Sequence, residues 1–257
     1  MNATLSQVRQ VVIPPQFHAT DSFQPVSHGE ALDLIEANLD KAGLKVHNGI
    51  GQARFTLSDN DARMAATLPL DMNIDGESRM QVVVLNSFNK KYALRIGFGS
   101  QVFVCTNGCI FAQQVLGRKH TTHIMRDINE KIENALHKIN EYAESQAKFF
   151  NRLRESEIDD VKANDLIVRS AKDYEIITSR QIVDVVEEWR KPRHVEFSPR
   201  NAWSLHNAIT EISKKIASTN ADSHANRMVN LSNLFTREFA SDLALPVGSK
   251  FGNAGLN

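Results

Sequence analysis

Cysteine is scarce in this chain: 257 residues hold only Cys105 and Cys109. That excludes a small scaffold held together by several disulfides. No run of about 18 apolar residues occurs, so nothing reads as a membrane-spanning helix. The N-terminus shows neither the basic nor the apolar region of a signal peptide, and a reducing, cytoplasmic setting is the expectation. Net charge is missing too, with 30 basic residues against 30 acidic, so overall charge points neither to a histone-like binder nor to an acidic DNA mimic. Absent as well are a Gly-x-x-x-x-Gly-Lys-Ser/Thr phosphate loop, a Gly-x-Gly-x-x-Gly turn, a His-Glu-x-x-His pair and a Gly-x-Ser-x-Gly elbow. These absences lower the expectation of an enzyme without removing it. No catalytic residue, metal ligand or cofactor is assigned.

What is present is 42% apolar residues, enough for a substantial core, and a conspicuous local charge. Residues 1–77 carry five Lys or Arg against ten Asp or Glu. Residues 78–126 carry seven basic residues (Arg79, Lys90, Lys91, Arg95, Arg118, Lys119 and Arg126) and no acidic one. The first 26 residues read as an arm in which Val11, Val12 and Ile13 suit an edge strand. A helix follows over 28–42: Ser27 and Glu30 have the spacing of a capping box, Leu32, Ile35 and Leu39 share a face, and Gly43 supplies a left-handed stop. From 45 to 105 the apolar period is close to two. "QARFTL", "RMAATLPLDM", "RMQVVVLNSF", "KYALRIGF" and "QVFVC", separated by "SDND", "NIDGES", "NK" and "GS", predict an antiparallel meander.

Beyond Cys105, "TNGCIFAQQVLG" reads as a turn and short helix ending at Gly117. A long helix is expected from Thr121, with Ile128, Ile132, Ala135, Ile139, Tyr142, Gln146, Phe149 and Leu153 as its seam. Four further helical stretches follow, the one at "SPRNAWSL" capped by Ser198 with Pro199 in its first turn and the last around "NRMVNLSNLFTREF". The expected fold is α+β: a largely antiparallel sheet packed against helices, with a long central helix and a helical C-terminal layer. The corresponding segments are an arm (1–26), a sheet region (27–120), a helical region on the same domain (121–240) and a mobile tail (241–257).

Four chemistries compete for these residues. Cys105, Cys109, His120 and His123 have the composition of a zinc set, yet Cys105 closes an alternating strand where small cysteines are commonly buried. A Cys109–His nucleophile has no triad or oxyanion signature. Asp59 and Asp61, followed by Asp71, Asp75 and Glu77, suit a divalent ion of a nuclease-like site, but Asp is equally the residue of the turns in which they lie. Nucleic-acid contact has the broadest support. Arg79, Lys90, Lys91, Arg95, Arg118, Lys119 and His120 are the contact candidates, with Tyr92, Phe98 or Phe103 available for base stacking.

The segments "NSFNKKYALRIGFGSQVFVCTNGCIFA", "GRKHT" and "WSLHNAITEISKK" resemble a phage- and plasmid-related domain family of unknown function. Onto its pattern fall Asn86, Ser87, Arg95, Val104, Cys105, Asn107, Arg118, His120, Thr121, Asn207, Ala208, Thr210 and Glu211. "FNK" at Phe88 to Lys90 and Cys109 depart from it. The resemblance implies a phage or mobile-element accessory protein in the host cytoplasm and supplies no reaction. Residues and resemblance together lead to the expectation of nucleic-acid binding, single-stranded DNA favoured, without catalysis. The alternatives are a homo-oligomeric factor acting on a host protein and a metal-dependent enzyme acting on DNA or nucleotides.

Overall fold

A computed structural model describes residues 2–104, 108–217 and 221–243, with the backbone alone at 108–115, 215–217, 221 and 222. Six strands, β1 (Asn2–Ala3), β2 (Arg54–Ser58), β3 (Arg63–Asn73), β4 (Ser78–Ser87), β5 (Leu94–Val102) and β6 (Gly108–Arg118), form one sheet whose spatial order is the chain order. Every neighbouring pair is antiparallel. The period-two pattern is visible in β3, where Met64, Ala66, Leu68 and Leu70 are buried and the residues between them are half-buried. Pro69 has no N–H for the ladder, and the register with β4 breaks just after it.

Each face of the sheet has its own core. On the first, α2 (His28–Lys41) and α3 (Ile124–Leu136) set Leu32, Ile35, Ile128 and Ile132 against Leu68, Val82, Ile96 and Phe98. On the second, Val83 and Leu85 meet the end of α4 (Ile139–Glu155) and a layer made by α5 (Asp160–Lys172), α6 (Ile182–Arg190), α7 (Ala202–Ala217) and α8 (Ala221–Phe239). The expected α+β architecture is therefore the one observed. Helix α2 begins as its sequence predicts: the Ser27 hydroxyl accepts from the Glu30 N–H at 3.2 Å, and the Glu30 carboxylate accepts from the Ser27 N–H at 2.8 Å. Gly43 follows with φ 72°.

Several local expectations are overturned. The segment expected as a short helix before Gly117 is strand β6, because pairing along β5 satisfies its backbone and its β-branched residues Ile110 and Val115 suit a strand. "GS" at Gly99–Ser100 is no turn but the interior of β5, where the register with β6 shifts. The edge strand is Asn2–Ala3, followed by α1 (Leu5–Gln10), while Val12 is exposed. At α7 the cap is Asn201, whose side chain accepts from the Ser204 N–H at 2.9 Å, in place of Ser198. The long helix is two helices interrupted at His137–Lys138. Its seam is buried as expected apart from half-buried Tyr142, but it serves two cores: Ala135 and Ile139 belong to the first face, Phe149 and Leu153 to the second. Helix α4 passes the sheet at the β3–β4 turn, where Arg154 pairs with Asp75 and Glu77 at 3.0 and 2.9 Å. Of the expected tail (241–257), residues 241–243 form a turn in which Asp242 pairs with Arg152, and the residues from 244 on, like Cys105, lie outside the described residues.

Candidate functional site

One end of the sheet collects the β2–β3 turn, the β4–β5 turn and the exit of β6, since Arg63 pairs with Ser87 and Leu94 with Arg118. Lys90, Lys91, Arg118, Lys119 and His120, which span 31 positions of sequence, therefore converge there. The remaining two candidates do not join them. Arg79 lies at the opposite end beside Gln101, its guanidinium 4.5 Å from the Phe103 ring centre. Strand alternation turns Arg95 away from the face of Leu94; it is 7% exposed and lies 5.8 Å from the Tyr92 ring centre.

Beneath the converged cations is a buried polar network centred on Val26. The Asn86 amide donates to the Val26 carbonyl at 2.9 Å and contacts His28 Nδ1 at 3.0 Å. The Val26 N–H in turn donates to His120 Nδ1 at 3.3 Å. His28 Nε2 donates to the Asp61 carbonyl at 2.8 Å, which assigns its proton to Nε2 and leaves Nδ1 as an acceptor for Asn86. Burial, outweighing the Asp61 bond, pushes the His28 pKa down to about 4. Burial likewise lowers His120 to about 4, against the hydrogen bond with Gln24 and with a small contribution from His28. Both rings are neutral at pH 7.

The segment Thr20–Val26 lies across this network as a strap. Gln24 N–H donates to the His120 carbonyl at 3.1 Å, the Phe23 ring lies 5.9 Å from the His120 ring, and the Lys90 ammonium sits 4.4 Å from the Phe23 ring centre. Arg118 is ion-paired with Asp127, which Arg126 also approaches at 3.3 Å. Desolvation would raise the Asp127 carboxyl, but the hydrogen bonds and charges of Arg118 and Arg126 hold it below the usual carboxylate range. Lys91 and Lys119 are exposed, with no carboxylate at ion-pair distance among the described residues. Of the aromatics expected to stack on bases, Phe98 is buried in the first core, Tyr92 is half-buried and Phe103 is at the far end.

The carboxylates of the divalent-ion reading are divided between the two ends of the sheet. Asp59 accepts from Asn89 at 2.7 Å and pairs with Arg63 at 2.9 Å, whereas Asp75 and Glu77 are held by Arg154. Among the described residues no group of three His, Cys, Asp or Glu is placed to hold a metal ion. Cys105 and the Cys109 side chain lie outside the described residues, and His120 is engaged by Val26. His28 escaped the sequence reading altogether: its only local signal is a place at the start of α2.

A family model described as "Domain of unknown function (DUF932)" matches residues 18–234, and the chain belongs to that family. The match takes in the strap, the buried network and both turns of the sheet end. Neither the curated proteins nor the solved structures provided a match. The segment "WSLHNAITEISKK" lies in α7, in the layer on the second face of the sheet. In α7, Asn207 donates to the Trp203 carbonyl, Thr210 to the His206 carbonyl, and Glu211 pairs with Arg193 and Lys214.

Proposed function

We propose that this DUF932 member binds single-stranded nucleic acid, DNA in the first place, at the basic end of its sheet and without catalysis, as an accessory protein of a phage or other mobile element. The observation that carries this reading is the convergence of Lys90, Lys91, Arg118 and Lys119 around one strapped polar network. Exposed ammonium groups suit phosphate oxygens, and each phosphate neutralised releases condensed counterions. Arg118, tied to Asp127, contributes less than the three lysines. Buried His120 supports the surface from below, a role different from direct contact, and Arg95, turned to the other face of the sheet, takes no part in it. Such a surface offers no helix shaped for a duplex groove, so binding is expected to follow backbone charge more than base sequence. The mobile-element setting is what the resemblance of "NSFNKKYALRIGFGSQVFVCTNGCIFA", "GRKHT" and "WSLHNAITEISKK" to a phage- and plasmid-related family implies.

The test is a salt titration of binding to labelled single- and double-stranded DNA and RNA oligonucleotides. The wild-type protein should lose affinity steeply with salt. The triple variant Lys90→Ala, Lys91→Ala, Lys119→Ala should bind more weakly, with a log–log slope shallower by about two units, since each phosphate contact to a single strand contributes about 0.7. No binding at low ionic strength, or a triple variant with an unchanged slope, would overturn the reading.

A further inference from the structure

Beside the basic end lies a groove of roughly 460 Å³ between α1 and the β2–β3 turn. Its floor is apolar, formed by buried Leu57 with Ala3 and Val11, and its rim carries Asn60, Asp61 and Gln10. The turn that supplies this rim has a rare backbone: Asp59, Asn60 and Asp61 are consecutive non-glycine residues with φ of 57, 51 and 62°. Side chains resist that left-handed region, although Asn and Asp enter it more readily than most, and three in succession persist only when the surroundings hold them. Here both ends are held. The Asp59 carboxylate is taken by Asn89 and Arg63, and the Asp61 carbonyl by His28. Neither anchor uses the Asn60 amide or the Asp61 carboxylate, and both of these residues line the groove.

Resting on the reading of the sheet end as a nucleic-acid surface, we infer that this groove takes one unstacked nucleobase carrying an exocyclic amino group: cytosine, adenine or guanine in preference to thymine or uracil. A carboxylate accepts from an exocyclic amine, as Asp does from cytosine N4 in duplex readout. Thymine and uracil instead offer a single imino N–H between two carbonyl oxygens, which oppose a carboxylate. The apolar floor packs on the face of the base, and the groove volume lies in the range of small-molecule sites, about 300–1,000 Å³. The Asn89–Asp59 bond ties the rim to the β4–β5 turn. A strand with phosphates on Lys90 and Lys91 therefore has this groove beside it.

Free nucleosides test the groove apart from the lysines, because they carry no phosphate. Titrated into the full chain and followed by amide NMR shifts, cytidine should perturb Asn60 and Asp61 saturably and bind about tenfold more tightly than uridine, the worth of one charge-assisted hydrogen bond. Asp61→Asn keeps a residue at home at this φ and leaves the His28 bond to the backbone intact, and it should abolish the difference. No saturable shift, equal binding of the two nucleosides, or a preference that survives Asp61→Asn would each overturn the inference. Oligo-dC and oligo-dT at fixed salt separate the two proposals. The Asp61 variant should change the dC-to-dT ratio, and the lysine variant the salt slope. Cytidine binding with no oligonucleotide binding at low salt would sustain the groove and reject the basic surface.

Discussion

Val26 shows how much one backbone position can organise. Its carbonyl accepts from Asn86 and its N–H donates to His120, so residues 60 and 94 positions away meet on the backbone of one residue. Asn86 is fully buried, and replacing it with Ala would strand the Val26 carbonyl and His28 Nδ1 without a side-chain donor among the described residues. A buried polar group left unpaired is costly, and Asn86→Ala should destabilise the protein by about 2–4 kcal/mol, measured as a lower urea midpoint. A loss within experimental error would show that the strap is held by Phe23 packing alone. From the sequence, Asn86 stood out only as part of a family-like segment, and His28 did not stand out at all. Spacing cannot announce a bond between side chains 58 residues apart.

At the scale of elements, legibility follows how local the deciding interactions are. Helix α2 was readable because Ser27 and Glu30 cap it within four residues and its apolar stripe is its own. Ser27→Ala removes the acceptor for the Glu30 N–H and should cost about 1 kcal/mol, read as a shift of the thermal midpoint with native helix content retained. An unchanged midpoint would mean that tertiary packing alone holds the start of the helix. Strand β6 was misread because "CIFAQQVLG" satisfies either period over so short a span, and the choice was made by its partner β5. The break at His137–Lys138 carries no proline or glycine. It is needed because the chain passes from the first core to the second, a demand set by the sheet and absent from the heptad pattern.

For the molecule as a whole, four buried histidines set the response to mild acid, above the range in which carboxylates titrate. Burial pushes the pKa of His28, His120 and His224 down to about 4 and that of His206 to about 3, with Arg227, Lys214 and Arg54 adding to the effect at His224. Each ring is neutral in the native state and titrates near 6.5 in the unfolded chain, which therefore binds more protons at mildly acidic pH. Stability is fully present well above pH 6.5 and is lost as the pH falls towards 4, with a limiting slope of about 1.4 kcal/mol per pH unit for a histidine. Urea midpoints measured from pH 8 to pH 5 should fall steeply below pH 6, and a flat profile would mean that these rings are solvated. The sequence by itself determined the α+β class, the capped helix α2, most strands of the meander and the apolar seam, because periodicity and capping act over a few residues. Only the tertiary structure decided that β6 is a strand, that the seam is divided between two cores, and that Lys90, Lys91 and Lys119 meet above His28, Asn86 and His120. Those outcomes depend on strand register and on hydrogen bonds between distant residues, which no local pattern encodes.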